Sequence, residues 1–287
     1  MTSLGTQTEP QIAGLGVHQA ASPVRGSPAV RWAARTLRVL SPFLVLIGIW
    51  QGSALLLGFS EYLYPRPVLV LQTFGQLIQE GILPDYVEVS MGRWLLGVLV
   101  GAALAIPIGL ALSSSRILHR TFFPLINFFM AIVELAWIPL FVLWFGYGFE
   151  VIVLSIGYVA FFPVVANTVR GIEQIPKVTI DAARTLGATR RQLLTQVLFP
   201  GALPSIVAGV RIGAAFGFRS LIGAEMIAAH SGIGYMIFES RQNLLTQRTI
   251  VGMITIGILW LCIDRFYLRP LERATIQRWG MVTGETA

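Results

Sequence analysis

The sequence predicts an all-α integral membrane protein with six transmembrane helices and both termini in the cytoplasm. Three observations carry this. Of the 287 residues, 55% are apolar and only 12% are charged, with a mean hydropathy of +0.71, more apolar surface than a soluble domain of this length could hide in one core. Apolar runs of about twenty residues, enough to cross a hydrocarbon layer of ~30 Å, occur at 40–59, 94–112, 122–145, 151–169, 206–228 and 250–267. Arginines gather in alternate segments: Arg31, Arg35 and Arg38, then Arg116 and Arg120, then Arg170, Arg184, Arg190 and Arg191, then Arg265, Arg269, Arg273 and Arg278. The opposite segments hold Glu61, Glu80, Asp85, Glu88, Glu150 and Glu239 beside only Arg66, Arg241 and Arg248. The positive-inside rule then sets the orientation.

Taken in order, residues 1–30 are rich in Gly, Pro, Ser, Thr and Ala and carry no apolar run, so they are expected to form a flexible cytoplasmic tail ahead of a transmembrane domain over 31–287. They do not read as a cleaved signal, because the first apolar stretch begins only near Leu40 and is long enough to span. Between the first two spans, residues 67–80 predict a short amphipathic helix on the outer surface, with Pro67 in its first turn and Val68, Leu71, Phe74, Leu77 and Ile78 as its apolar stripe. Glycine and alanine recur at Gly97, Gly101, Ala105 and Gly109, and again at Gly209, Gly213 and Gly217, strips that let helices approach closely in lipid. Pro107, Pro139 and Pro163 fall inside spans, where each frees a backbone carbonyl.

The segment 171–204 is too long and too patterned for a simple connector. Asp181 to Gly187 reads as a helix with a glycine stop, and a second helix follows from about Thr189 to Leu198 ahead of Pro200 and Pro204. Arginines face water there, while Ala182, Ala183 and Leu186 present a small apolar patch that another protein could cover.

These residues, Asp181-Ala182-Ala183, Gly187 and Val197-Leu198-Phe199-Pro200 at matching spacing, resemble the EAA loop of ABC importer permeases. Asp181 stands where glutamate is usual, which keeps a negative charge at what the spacing makes a helix start. The resemblance covers roughly Trp50 to Trp279 and points to the nitrate, taurine and sulfonate branch, through Tyr64 to Val68, Ala136 to Gly146, Phe162-Pro163 with Asn167, and Leu203-Pro204 through Gly209 and Gly213 to Ala224-Glu225-Met226. It implies a type I importer permease fold. It also implies that 170–200 form coupling helices, with Asp181, Ala182, Ala183, Leu186, Gly187 and Pro200 touching a separate ATPase subunit.

The partners it implies are two copies of that ATPase, a second copy of the permease, an extracytoplasmic solute-binding protein and the lipid of a bacterial inner membrane, with ATP and Mg bound by the ATPase. The chain is not expected to be an enzyme. It lacks a G-x-x-x-x-G-K-[ST] phosphate loop, since its one lysine, Lys177, follows Pro176. No metal is expected either, because His18, His119 and His230 are far apart. The basic excess of +7 is nearly all arginine at the ends of apolar runs, which suits membrane orientation and not nucleic acid. Cys262, alone in an apolar run, can form no disulfide within the chain.

Charges inside the bilayer cost about 2.5 to 3.5 kcal/mol each on insertion scales and need a partner or a purpose. Arg211 and Glu225 lie near the ends of the fifth span and suit structural roles. Glu134 and Arg219 stand where the family more often has proline or small apolar residues. A rise of 1.5 Å per residue puts both at similar depth, ~18 Å and ~20 Å from the cytoplasmic ends of their spans. They are either a salt bridge between the third and fifth spans or groups that meet the solute, and Trp137, Phe218 and Glu225 join them as candidate pathway residues. Trp144, Phe145, Phe161 and Phe162 could narrow the same path. The expected function is ATP-driven import of a small solute, an organic or inorganic anion, by alternating access. The alternative is a carrier driven by an ion gradient, with Glu134 and Arg219 as its coupling groups.

Overall fold

A computed structural model describes residues 28–58 and 60–278. Most of the expected tail therefore lies outside the described residues, while residues 28–30 already belong to a helix. Every regular element among the described residues is helical. In chain order these are α1 (Pro28–Leu56), α2 (Pro67–Gln79), α3 (Ile82–Ser114), α4 (Arg116–Ala131), a single 3-10 turn (Glu134–Ala136), α5 (Ile138–Phe145) and α6 (Phe149–Glu173). Then come α7 (Lys177–Thr185), α8 (Arg190–Gln192) running through a π-helical stretch (Leu193–Leu198) into α9 (Phe199–Ala228), α10 (Ile233–Gln242), and α11 (Thr246–Ile263), which continues through a second π-helical stretch (Asp264–Leu268) into α12 (Arg269–Arg278).

Four helical runs among the described residues are long and apolar enough to cross a membrane: Ile82–Ser114, Phe149–Glu173, Arg190–Ala228 and Thr246–Glu272. The expected third span is broken. Arg116–Ala131 and Glu134–Phe145 meet at an 82° bend, and the pair makes a fifth crossing only if its two arms are counted together. Pro139, second residue of α5, has no N–H for the carbonyl of Leu135, so the 3-10 turn and α5 do not form one continuous α-helix. The bend itself falls at Ile132 and Val133, which are extended, with ψ of 120° and 132°. The first expected span falls in α1, whose apolar part is Leu44–Leu56.

The core is a three-helix sandwich with α6 in the middle and α3 and α9 on its flanks. Both small-residue strips face α6. A Cβ on Gly101 would sit 2.7 Å from the carbonyl oxygen of Gly157, and one on Gly213 would sit 2.8 Å from that of Ala160. Only a hydrogen fits where backbones come this close. Trp94 closes the α3–α9 seam by donating its indole N–H to the carbonyl of Ala214 at 3.0 Å. Beside it, Phe218 lies edge-on to Trp94 and tilted against Trp260 of α11.

Helix α2 forms over nearly the expected residues and packs against α11 and α3. Pro67, Val70 and Leu77 are buried, whereas Val68, Leu71 and Ile78 of the expected stripe are exposed. Both sides of this helix are apolar, so hydropathy could not say which would meet protein.

Candidate functional site

Two regions carry the chemistry singled out in the sequence: the helical protrusion between α6 and α9, and a small charged cavity beside the broken third span.

The protrusion starts four residues before Asp181, because Pro176 with ψ 131° serves as the N-cap of α7. Asp181 is therefore the fifth helical residue and not, as the spacing suggested, at the start. The dipole argument fails there, since its effect fades within the first turn. The side chain instead pairs with Arg184 at 3.5 Å on an exposed face. Gly187 ends α7 with φ 82°, a conformation that disfavours any side chain. Its N–H donates to the carbonyl of Arg184 and that of Ala188 donates to Ala183, which completes a Schellman motif. Thr189 then caps α8 reciprocally with Gln192.

This capped turn holds Leu186 88% exposed and Val178 79% exposed, with Ala182 exposed and Ala183 half-buried beside them. Leu186 and Val178 are thus uncovered apolar side chains on a well-capped protrusion. Pro200, at the start of α9, is half-buried and lies on the helix side of the π-helical stretch.

The cavity has a volume of about 280 Å³, and its walls are Met130, Ile132, Glu134, Tyr158, Val159, Phe162, Pro163, Phe216 and Arg219. Glu134 is half-buried and Arg219 exposed. The two expected partners thus reach one cavity from two elements, yet no ion pair joins them. The Arg219 guanidinium lies 5.9 Å from the ring centre of Phe216. The extended break at Ile132 forms part of the wall, and such irregular backbone is tolerated at membrane depth only where protein or a cavity surrounds it. Pro163 has no N–H to offer the carbonyl of Val159, and both residues line the cavity. Tyr158 fixes the near end of α4 by donating to the carbonyl of Phe129 at 2.8 Å. Trp137 packs against Tyr158, 5.5 Å between ring centres, one layer behind the wall.

A larger cavity of about 710 Å³ runs between α3, α4 and α6, lined by residues such as Leu104, Ile108, Phe122 and Phe161, and its walls are wholly apolar. It offers nothing to a charged solute.

Phe218 and Glu225 do not line the charged cavity. Phe218 is 3% exposed within the aromatic core, and Glu225 is completely buried in a polar network that the sequence reading missed. Its carboxylate accepts from Nη1 of Arg93 at 2.9 Å, from the hydroxyl of Ser90 at 2.9 Å and from the N–H of Gly234 at 2.9 Å. Arg93 also donates to the carbonyl and the hydroxyl of Ser231, at 2.7 and 2.9 Å. Arg93 escaped notice because it stands one residue before the apolar run 94–112. The signal that could have found it is that Glu225, a carboxylate inside the apolar run 206–228 though near its end, requires a cation. Arg211 is likewise neutralised, by Asp264 at 2.8 Å and by Glu272, which joins α9 to the second π-helical stretch and α12.

A bundle of membrane-crossing helices that bears a charged internal cavity and an uncovered helical knob between two of its tightest-packed members is the membrane subunit of a transporter. The chain belongs to the family described as binding-protein-dependent transport system inner membrane component, whose model matches residues 97–269. It is 34% identical over 233 residues to the putative aliphatic sulfonates transport permease protein SsuC of Bacillus subtilis (strain 168), an alignment covering 81% of this chain and 84% of that one. It is 33% identical over 234 residues to the taurine transport system permease protein TauC of Escherichia coli (strain K12), covering 80% and 85%. Among solved structures it resembles an inward-facing conformation of the MetNI methionine ABC transporter, with a TM-score of 0.54 over 67% of this chain and 97% of that one. At 20% identity this last likeness shows the fold alone.

Proposed function

We propose that the chain is the permease subunit of an ATP-driven importer of small organic anions of the sulfonate kind, acting in the inner membrane of a bacterium with six spans and both termini in the cytoplasm. The observation that carries the reading is the exposed turn at Leu186 and Gly187, anchored at one end by α6 and at the other by α9. A separate ATPase dimer covers this turn on the cytoplasmic side and binds ATP and Mg. Because α6 and α9 pack backbone to backbone, a push on the turn moves them as one body. Two permease copies rock against each other and expose a path between them to one side and then the other. Glu134 and Arg219 face that path, with Trp137 supporting its wall, and an external binding protein delivers the solute.

The test is uptake by the complete transporter in proteoliposomes. Gly187→Trp, which forces a side chain onto φ 82° and adds bulk to the docking turn, is expected to abolish ATP-driven uptake while the subunit still inserts. Normal uptake by that variant, or uptake that collapses with a proton uncoupler and ignores vanadate, would count against the proposal.

A further inference from the structure

We infer that the bundle holds an anionic phospholipid of the inner leaflet, with one acyl chain in the large apolar cavity between α3, α4 and α6 and the headgroup phosphate between Arg116 and Lys177. The inference rests on the reading of the turns at Ser115 and Pro176 as cytoplasmic.

Two adjoining spaces carry it. The cavity of about 710 Å³ has wholly apolar walls, and Leu104, Ile108, Phe122 and Leu125 among them are exposed, so it is an open groove and not a sealed void. At its α3 end it meets a second cavity of about 530 Å³, and Leu112 lines both. The chemistry changes at that point. The second cavity is lined by Arg116 and His119 of α4, Glu173 of α6 and Lys177 of α7. Glu173 lies 3.8 Å from Nε2 of His119, whose ring is stacked on Phe123 with 4.8 Å between centres. Arg116 and Lys177 are exposed, and neither has an ionic partner among the described residues. The one carboxylate is therefore taken up by the histidine, and two cations from two elements stand unpaired at the mouth of the groove.

Length and charge together choose the occupant. The α3 wall of the groove runs from Val100 to Leu112, ~18 Å at a rise of 1.5 Å per residue, and one leaflet of a ~30 Å hydrocarbon layer is ~15 Å deep. A groove that begins at the basic edge and ends near mid-bilayer has the length of one lipid tail. Bulk lipid is as apolar as the groove, so the tail fixes the place and the headgroup supplies the preference. A phosphate that carries no compensating amine meets both cations, whereas a choline headgroup brings a cation of its own. A second copy docked here about a two-fold axis would present the same patch to itself and set Arg116 and Lys177 against their own counterparts.

The experiment is native mass spectrometry of the purified permease–ATPase complex, stripped of lipid in detergent and titrated with dioleoyl phosphatidylglycerol or dioleoyl phosphatidylcholine. The glycerol lipid is expected to bind roughly tenfold or more tightly, the scale of two basic groups at a lipid surface. Arg116→Gln with Lys177→Gln should remove that ratio, while Arg241→Gln with Arg248→Gln, on the opposite side of the bundle, should leave it. Ala111→Trp, which fills the groove beside Leu112 and keeps both cations, should abolish the tight binding. Glycerophosphoglycerol, the same headgroup without tails, should fail to displace the lipid from the unmodified complex. Equal binding of the two lipids, an unchanged ratio in Arg116→Gln with Lys177→Gln, tight binding that survives Ala111→Trp, or displacement by the tailless headgroup overturns the inference. So does a disulfide between two copies carrying Ile108→Cys and Cys262→Ser, since a second copy would then cover the groove. Binding read in detergent depends on neither sidedness nor transport, so its failure leaves the proposed function standing, and a complex that binds the lipid but takes up no solute sinks only the proposed function.

Discussion

Glu225 of α9 and Arg93 of α3 form an ion pair at 2.9 Å whose side chains are 0% and 8% exposed. The pair does more than neutralise itself. Ser90 accepts the N–H of Ile233 and Glu225 that of Gly234, two first-turn donors of α10 that have no partner within their own helix. A carboxylate from one helix thus caps another, where the dipole favours negative charge. Gly232 must be glycine for this to happen, since its φ is 106° and a Cβ there would lie 2.6 Å from Cδ of Glu225. Removing one partner leaves the other charge buried alone, at a cost of about 3 to 5 kcal/mol. Arg93→Ala should therefore lower the melting temperature in detergent more than Arg93→Met combined with Glu225→Met. The reverse order would show that the pair is not the source of the stability.

Arg211 offers a control on this argument. It too is held by carboxylates, Asp264 and Glu272, but it is about a third exposed, so solvent and salt screen it more. The destabilisation of Arg211→Ala should shrink when the melt is repeated in 1 M salt, while that of Arg93→Ala persists. Equal salt sensitivity of the two variants would contradict the assigned burial.

The α3–α6–α9 core makes a second kind of demand. Gly101→Val and Gly213→Val would each drive a side chain into a backbone carbonyl of α6, which cannot rotate away as a flexible side chain can. Overpacking costs about 1 to 3 kcal/mol even where side chains give way, and more is expected against backbone. Size-exclusion profiles of both variants should show aggregated protein. Gly257→Val on α11, where a new Cβ meets nothing within 4 Å, should elute like the unmodified chain.

Four of the six expected spans, those at 94–112, 151–169, 206–228 and 250–267, were legible because hydropathy is a property of single segments. What failed depended on relations between segments. The window 122–145 is apolar but for Asn127 and Glu134, and only the geometry shows that the helix breaks there by 82°, at Ile132 and Val133. Arg93 was invisible to a search of span interiors because it stands at an edge. Its partner lies 132 residues away. For α2 the helix was legible, and its expected stripe divides, with Leu77 buried against the bundle and Val68, Leu71 and Ile78 exposed. Equal depth did bring Glu134 and Arg219 into one cavity, but whether they would bond to each other is a matter of side-chain reach, which spacing does not encode.

The turn between α7 and α8 gives the most direct test of partner docking. Leu186 is held out by the Schellman turn at Gly187, touches little of its own subunit and leaves most of its side chain in water. Burying such a side chain contributes about 1.5 to 3 kcal/mol, or roughly ten- to a hundredfold in affinity. Leu186→Asp should weaken binding of the ATPase subunit to the purified permease by that factor, leaving the permease's melting temperature unchanged because no packing inside the subunit is lost. Leu186→Met, which keeps volume and polarity, should bind almost as well. A Leu186→Asp permease that holds its ATPase at full affinity would mean that the knob faces something else.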